Sequence, residues 1–193
     1  MWRRSMALLV SGCLLVPVHA QDFGDWSLDP SVIDAGHDLL MRAPSAEMDA
    51  LFQAVHASSQ APSESRALCT LFEPDADRSL SALNAFAAQL PPASRNRFAS
   101  AVANVLVASM QSPPQAYDAA AARQSLKAAG VTAAFLHDGF VAGLDGAGTA
   151  PAARETRCQS IRWLLDAIAQ RPANERAAMT RLLLGEGLAR LAP

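Results

Sequence analysis

Few side chains in this sequence are of a type and spacing that would serve as metal ligands, nucleophiles or paired acids and bases. Asp34, His37 and Asp38 lie within little more than one helical turn, a spacing that suits metal ligands. His37, however, shares a stripe with Ile33, Leu40 and Met41, where a hydrogen-bonded core histidine is expected. No second cluster has ligand spacing, so neither a metal nor any other cofactor is assigned. His137 and Asp138 are consecutive, and consecutive helical residues point apart, which predicts a surface pair. Asp75-x-Asp77-x-Ser79 opens like a calcium loop, but Leu80 stands where the glycine belongs and Phe86 where the bidentate glutamate belongs. That excludes an EF-hand. G-x-S-x-G, H-E-x-x-H and phosphate-loop motifs do not occur, and no catalytic residue is assigned.

Two glutamates carry an enzymatic alternative. Glu64 is followed by Ser65 near a predicted helix end, which resembles the Glu-Ser of helical exported enzymes that cut cell-wall glycan. The resemblance covers two residues and lacks the apolar and aromatic subsite surroundings of those enzymes. It implies an acid at Glu64, with a second carboxylate at a defined separation. Glu186 continues the face of Met179, Leu182 and Leu183. Either Gly185 and Gly187 break that helix and let the face switch, or Glu186 is an inward carboxylate paired with an arginine.

The cysteines take their meaning from the N-terminus. Arg3 and Arg4 precede an apolar run from Met6 to Val18, and Val18-His19-Ala20 places small residues where signal peptidase needs them. The run is too short to span a bilayer, and no other membrane span is expected. Val10-Ser11-Gly12-Cys13 also fits a lipobox, which would anchor the chain through a lipid on Cys13. The apolar run continues past Cys13, so cleavage after Ala20 is the preferred reading, with the protein periplasmic or secreted. Residues 1–20 are then a signal peptide, 21–30 an arm and 31–193 a single domain. Cys69 and Cys158 remain, an even pair in an oxidising compartment, and one disulfide is predicted. Closing a loop of 89 residues stabilises by about 4–5 kcal/mol in the chain-entropy picture.

Charge is uneven. Residues 21–80 hold eleven acids against Arg42, Arg66 and Arg78, a net of −8, whereas residues 81–193 hold seven acids and eleven bases, a net of +4. Ten of those eleven bases are arginine, and Lys127 is the only lysine. The two halves are expected to attract each other within one fold; a basic partner for the acidic half is the alternative. A negative balance with no basic stripe of interleaved aromatics speaks against nucleic acid.

The positioning elements are helices. Ala and Leu dominate, and no period-2 run of β-branched or aromatic residues suggests a sheet. Helical spacing recurs at Ile33–Met41, Met48–Val55, Leu68–Phe72, Leu80–Leu90, Phe98–Met110, Tyr117–Ala129, Phe135–Leu144, Cys158–Ile168 and Met179–Leu183. Ala43-Pro44-Ser45, a polar loop from Ser58 to Ser63, Pro91-Pro92, Ser112-Pro113-Pro114, Gly130 and Arg171-Pro172 separate them. Gly139 and Gly143 predict close helix packing. Asp145 to Pro151 is the most obvious flexible loop. Residues 83–95 and 165–176 echo each other through Leu, Ala, Pro and Arg, a pattern a duplicated helical hairpin would leave. The expectation is an all-α, single globular domain of roughly eight short helices tied by one disulfide.

Candidate contact residues complete the reading. Phe23 and Trp26 stand in the acidic arm, which would dock on the basic half of its own domain or insert into a partner. Trp163 lies off the main apolar face of its helix, either packed under a neighbour or exposed as a binding anchor. Asp145 opens the flexible loop. A rigid scaffold without assembled chemistry is expected to bind another protein, such as a secreted toxin or hydrolase, as an inhibitor or immunity protein of the cell envelope. A helical cell-wall glycan hydrolase or a periplasmic carrier of an apolar ligand are the alternatives.

Overall fold

The computed structural model describes residues 30–73, 76–77, 80–146 and 148–189. The signal peptide, Cys13, the arm with Phe23 and Trp26, and part of the Asp75–Ser79 motif lie outside the described residues. Those described form an all-α domain, without strands, of nine helices: α1 (Pro30–Arg42), α2 (Ser45–Gln60), α3 (Pro62–Thr70), α4 (Leu80–Gln89), α5 (Pro92–Gln111), α6 (Ala119–Leu136), α7 (Phe140–Asp145), α8 (Pro151–Ala169) and α9 (Ala173–Ala189). No helix among them is long and apolar enough to cross a membrane.

Local chemistry sets the helix starts. Proline opens α1, α3, α5 and α8, where its missing N–H and fixed φ suit the first turn. Asp118 caps α6, its Oδ1 accepting from the amides of Ala120 (2.8 Å) and Ala121 (3.1 Å). The predicted loop at Ser58–Ser63 shrinks to Ala61 alone, because the hydroxyls of both serines find partners inside the protein. Ser58 donates to Glu64 and Ser59 to the carbonyl of His56, each at 2.7 Å. Gly130 does not end its helix either; α6 runs through it, and the chain turns at Gly139 instead, where φ is +85°.

Helix α2 lies at the centre, packed on α9, α5, α8 and α3, while α9 also meets α1 and α6. One apolar cluster gathers Phe52, Phe140, Leu165, Ile168 and Met179 with Ala129 and Ala133. A second joins Leu40, Ala43, Met48 and Ala177. Gly143 brings α7 onto α8 so closely that a Cβ there would stand 2.1 Å from Ser160 Oγ, the close packing expected of the glycine pair. Cys69 and Cys158 form the predicted disulfide, with Cα atoms 5.3 Å apart, joining α3 to α8.

The charge asymmetry resolves inside the fold. Arg176 of α9 grips Asp49 of α2 with both prongs (2.7 and 2.8 Å) and donates to the carbonyl of Arg171 at the end of α8 (2.6 Å). Buried Arg157 pairs with buried Glu73 and donates to the carbonyls of Gly146 (2.8 Å) and Gly148 (3.0 Å). The loop expected to be flexible is therefore fastened at its start. Arg181, buried in α9, donates to the carbonyls of Leu40 (3.0 Å) and Ala43 at the end of α1, with Tyr117 stacked on it. Burial holds the Arg181 guanidinium below its ordinary pKa and the Tyr117 hydroxyl above its own. A planar fork with several donors satisfies many carbonyls at once, which lysine cannot do. That gives a physical reason for the near absence of lysine. The sequence echo marks two helix–proline–helix junctions, but Arg176 is clamped whereas its counterpart Arg95 is exposed.

Candidate functional site

The two glutamates singled out by sequence stand in different settings. Glu64 is buried on α3, and both its oxygens are occupied. Ser58 Oγ donates to Oε2 and Ser94 Oγ to Oε1, each at 2.7 Å. Arg97 donates to both serine hydroxyls (3.0 Å) and stands 3.5 Å from Oε2. This cluster ties α2, α3 and α5 together, and a carboxylate so fully bonded is set up to hold helices. Glu186 pairs with an arginine as one expectation had it, but at the surface and not inward. Helix α9 continues through Gly185 and Gly187, and Glu186 turns to solvent, 3.0 Å from Arg123 of α6. The two carboxylates are thus committed to different arginines on different helices.

Histidines are placed by contacts that spacing does not reveal. His37 is exposed, not buried as its stripe suggested, and among the described residues no three His, Cys, Asp or Glu side chains converge to hold a metal ion. His56, which sequence reasoning passed over, lies 2.9 Å from Asp166 of α8 and stacks on Phe52. Gln60 donates to the same carboxylate at 2.7 Å. An imidazole oriented by a carboxylate is the usual form of a general base, but the neighbouring Ser59 hydroxyl turns to the His56 carbonyl. The pair is separated by 110 residues in sequence, and no local pattern announces it.

Trp163 is half-buried against the main core cluster, its ring stacked on His137 at 4.5 Å and 2°. The expected surface pair His137-Asp138 is thus split, with the imidazole held by the tryptophan and Asp138 exposed. Asp145 ends α7, also exposed. Two open clefts hollow the surface. One, of about 320 Å³, includes Leu71, Glu73, Asp77, Phe86, Gln89 and Arg154 in its walls, and the other, of about 270 Å³, includes Tyr117, Asp118, Ser125, Asn174, Glu175 and Arg181. Both mix apolar with charged and polar groups, the second including Ala116, Ala121, Ala122 and Ala178.

Apolar exposure concentrates instead at the corner where α6 turns into α7. Val131, Phe135 and Leu136 at the end of α6, and Val141 and Leu144 on α7, all face solvent, Phe135 with 89% of its surface free. Helix α6 buries only small residues, Ala122, Ala129 and Ala133. Leu126 packs half-buried on the main core, while Val131, Phe135 and Leu136 are left outside because alanines let α6 lie close on α8 and α9. Phe140 and Gly143 turn the opposite side of α7 into the core. The exposed side chains amount to on the order of 500 Å², toward the upper end for a single patch on a monomer. Sequence reasoning assigned Phe135, Leu136 and Leu144 to a helix without seeing which way they point.

Compared with known protein families, curated proteins and solved structures, the chain matches none. The fold defines it as a single-domain, all-α, disulfide-tied protein.

Proposed function

We propose that this is an exported protein-binding protein, an inhibitor or immunity protein that shields the cell envelope from a secreted toxin or hydrolase. Its contact surface is the α6–α7 corner. The observation that carries the reading is the exposure of Val131, Phe135, Leu136, Val141 and Leu144 on a rigid scaffold. An exposed aromatic among exposed aliphatic side chains suits an interface anchor, and their exposure to water is costly unless a partner covers them. The supports of the corner are stiff: α7 is packed on α8, and α8 is tied to α3 by the disulfide. A preorganised surface loses little entropy on binding. The export signal expected from residues 1–20 and the Cys69–Cys158 bridge support a reading in an oxidising compartment.

The test is affinity capture from the native envelope and culture fluid, run side by side with the wild-type protein and Phe135→Asp. One stoichiometric protein partner that the wild type retains and the variant loses is the expected result. The variant should melt like the wild type, since Phe135 supports no core contact. A partner held equally by both proteins, or retained glycan or lipid in place of protein, would overturn the proposal.

A further inference from the structure

Helix α5 also turns its larger apolar residues the wrong way. It buries Ser94, Ala101 and Ser109, and exposes Ala99, Val102, Ala103, Leu106, Val107 and Met110, the last with 75% of its surface free. Ala99, Ala103, Leu106 and Met110 follow at intervals of four, three and four, the spacing of a seam between two packed helices. Val102 and Val107 flank it. No charged residue occurs from Phe98 to Gln111. A helix with so few polar residues on its outer face is ordinarily covered there, yet α1 and α2 supply the main packing of α5 and leave this stripe open, with Ser100 and Asn104 exposed along one edge of it.

We propose that the outer face of α5 is a two-fold interface with a second copy of this chain, the two α5 helices packed antiparallel. The seam is complementary to itself in that direction. With the axis between Asn104 and Val105, Ala99 meets Met110, Ala103 meets Leu106, and Val102 meets Val107. Each small residue on the seam then faces a large one, as a self-complementary contact requires. Charge selects the same direction. Arg95 and Arg97 are the only charged residues of α5 and stand at its N-terminal end. Parallel packing would crowd four guanidinium groups together. Antiparallel packing sets the two pairs roughly 30 Å apart at 1.5 Å per residue, each toward the other helix's C-terminus, where the macrodipole is negative. Covering both stripes removes on the order of 1,000 Å² from water, at the low end for specific interfaces, which predicts a weak dimer in the micromolar range. The contact does not involve the α6–α7 corner, so it stands or falls independently of the proposed binding function.

Sedimentation of the purified protein from low to high micromolar concentration tests it. The wild type should pass from monomer to dimer, and Leu106→Glu should weaken the dimer about tenfold or more, while Phe135→Asp leaves it intact. Leu106 is exposed, so the variant should keep the wild-type helicity and melting temperature. A second experiment needs no loss of function: an equimolar mixture of Ala103→Cys and Leu106→Cys should oxidise to a covalent dimer faster than either variant alone. A wild type that stays monomeric at every concentration, a dimer indifferent to Leu106→Glu, or cross-linking no faster in the mixture would overturn the proposal.

Discussion

Gly143→Ala probes the contact that holds the apolar corner in place. A Cβ at this position would stand 2.1 Å from Ser160 Oγ, 2.8 Å from the carbonyl oxygen of Thr156 and 3.2 Å from Ser160 Cβ. The hydroxyl can rotate, but the carbonyl belongs to the backbone of α8, which is anchored through Cys158 and Arg157. Helix α7 must therefore lift. Overpacking of this kind costs about 1–3 kcal/mol, and the better helix propensity of alanine returns about 1 kcal/mol. A net loss of up to about 2 kcal/mol follows, toward the upper end because the Thr156 carbonyl cannot rotate away, and for a chain of this size each kcal/mol lowers the melting temperature by about 2–4 °C. Ser160 Oγ is buried without a hydrogen-bond partner, so Ser160→Ala alone should be neutral or stabilising by up to about 1 kcal/mol. Combined with Gly143→Ala it should restore part of the loss but not all, because the Thr156 carbonyl stays. Urea unfolding followed by circular dichroism of the four proteins gives the cycle. A Gly143→Ala variant as stable as the wild type would refute the close packing, and full recovery in the double variant would remove the carbonyl from the explanation.

The buried pair of Arg157 and Glu73 should respond asymmetrically: Glu73→Gln strands a buried guanidinium and is expected to cost about 3–5 kcal/mol, whereas replacing both with Leu and Met should cost less. Denaturant midpoints of the two variants decide it. Cys69→Ser and Cys158→Ser should lower the melting temperature equally, since each breaks the same bridge, and mass spectrometry of the wild type should find neither as a free thiol. The Arg171 hydrogen bond holds the Glu175 carboxyl below its usual pKa. Its stabilisation is present above the ordinary value and lost as pH falls through the lowered one, so the melting-temperature gap between wild type and Glu175→Gln should close from pH about 5 to about 3. If the α6–α7 corner is the binding surface, affinity for the captured partner should change less than about threefold between roughly 50 and 500 mM salt, measured by calorimetry.

The helices are legible in the sequence because their breaks are chemical: Pro44, Pro62, Pro92, Pro151 and Pro172 each stand at or beside a boundary that the structure shares. The disulfide is legible from compartment and parity. Helix direction is not. Spacing places Val102, Leu106 and Met110 on one face of α5, and the expectation that the larger apolar face turns inward fails, because Ser94, Ala101 and Ser109 let α5 approach α2 more closely. Gly130 reads as a stop, but a glycine ends a helix only where the chain needs a positive φ, and that need arises at Gly139. Glu64 offers itself in sequence only as an alternative catalytic acid through the Glu-Ser resemblance, and its setting depends on Ser58, Ser94 and Arg97, brought in from two other helices. Buried arginines are the hardest to foresee. Arg181 sits four residues after Ala177 on an inward face, and nothing in its neighbours shows that the carbonyls of Leu40 and Ala43 wait across the gap.

These departures from expectation have a common physical origin. Helix–helix contact through alanine, glycine and serine brings backbones close, so α5 and α6 bury only small residues fully and α7 needs only Phe140 and Gly143, with Val105 and Leu126 half-buried beside the core. Close backbones also leave helix ends and loop carbonyls facing the interior, and Arg157, Arg176 and Arg181 satisfy them with a broad planar fork that the compact ammonium of lysine does not match. Asp49, Glu64 and Glu73 of the acidic half neutralise arginines of the basic half, so much of the charge asymmetry is spent inside the molecule. Outside, exposed charges such as Arg66, Lys127, Asp138 and Glu155 share the surface with two groups of apolar side chains. Small residues at the contacts of α5 and α6, with polar ties supplying specificity, release Phe135, Leu136, Leu106 and Met110 from structural duty. Their exposure carries a solvation cost that folding alone does not require, and contact with other protein surfaces is the physical way to recover it.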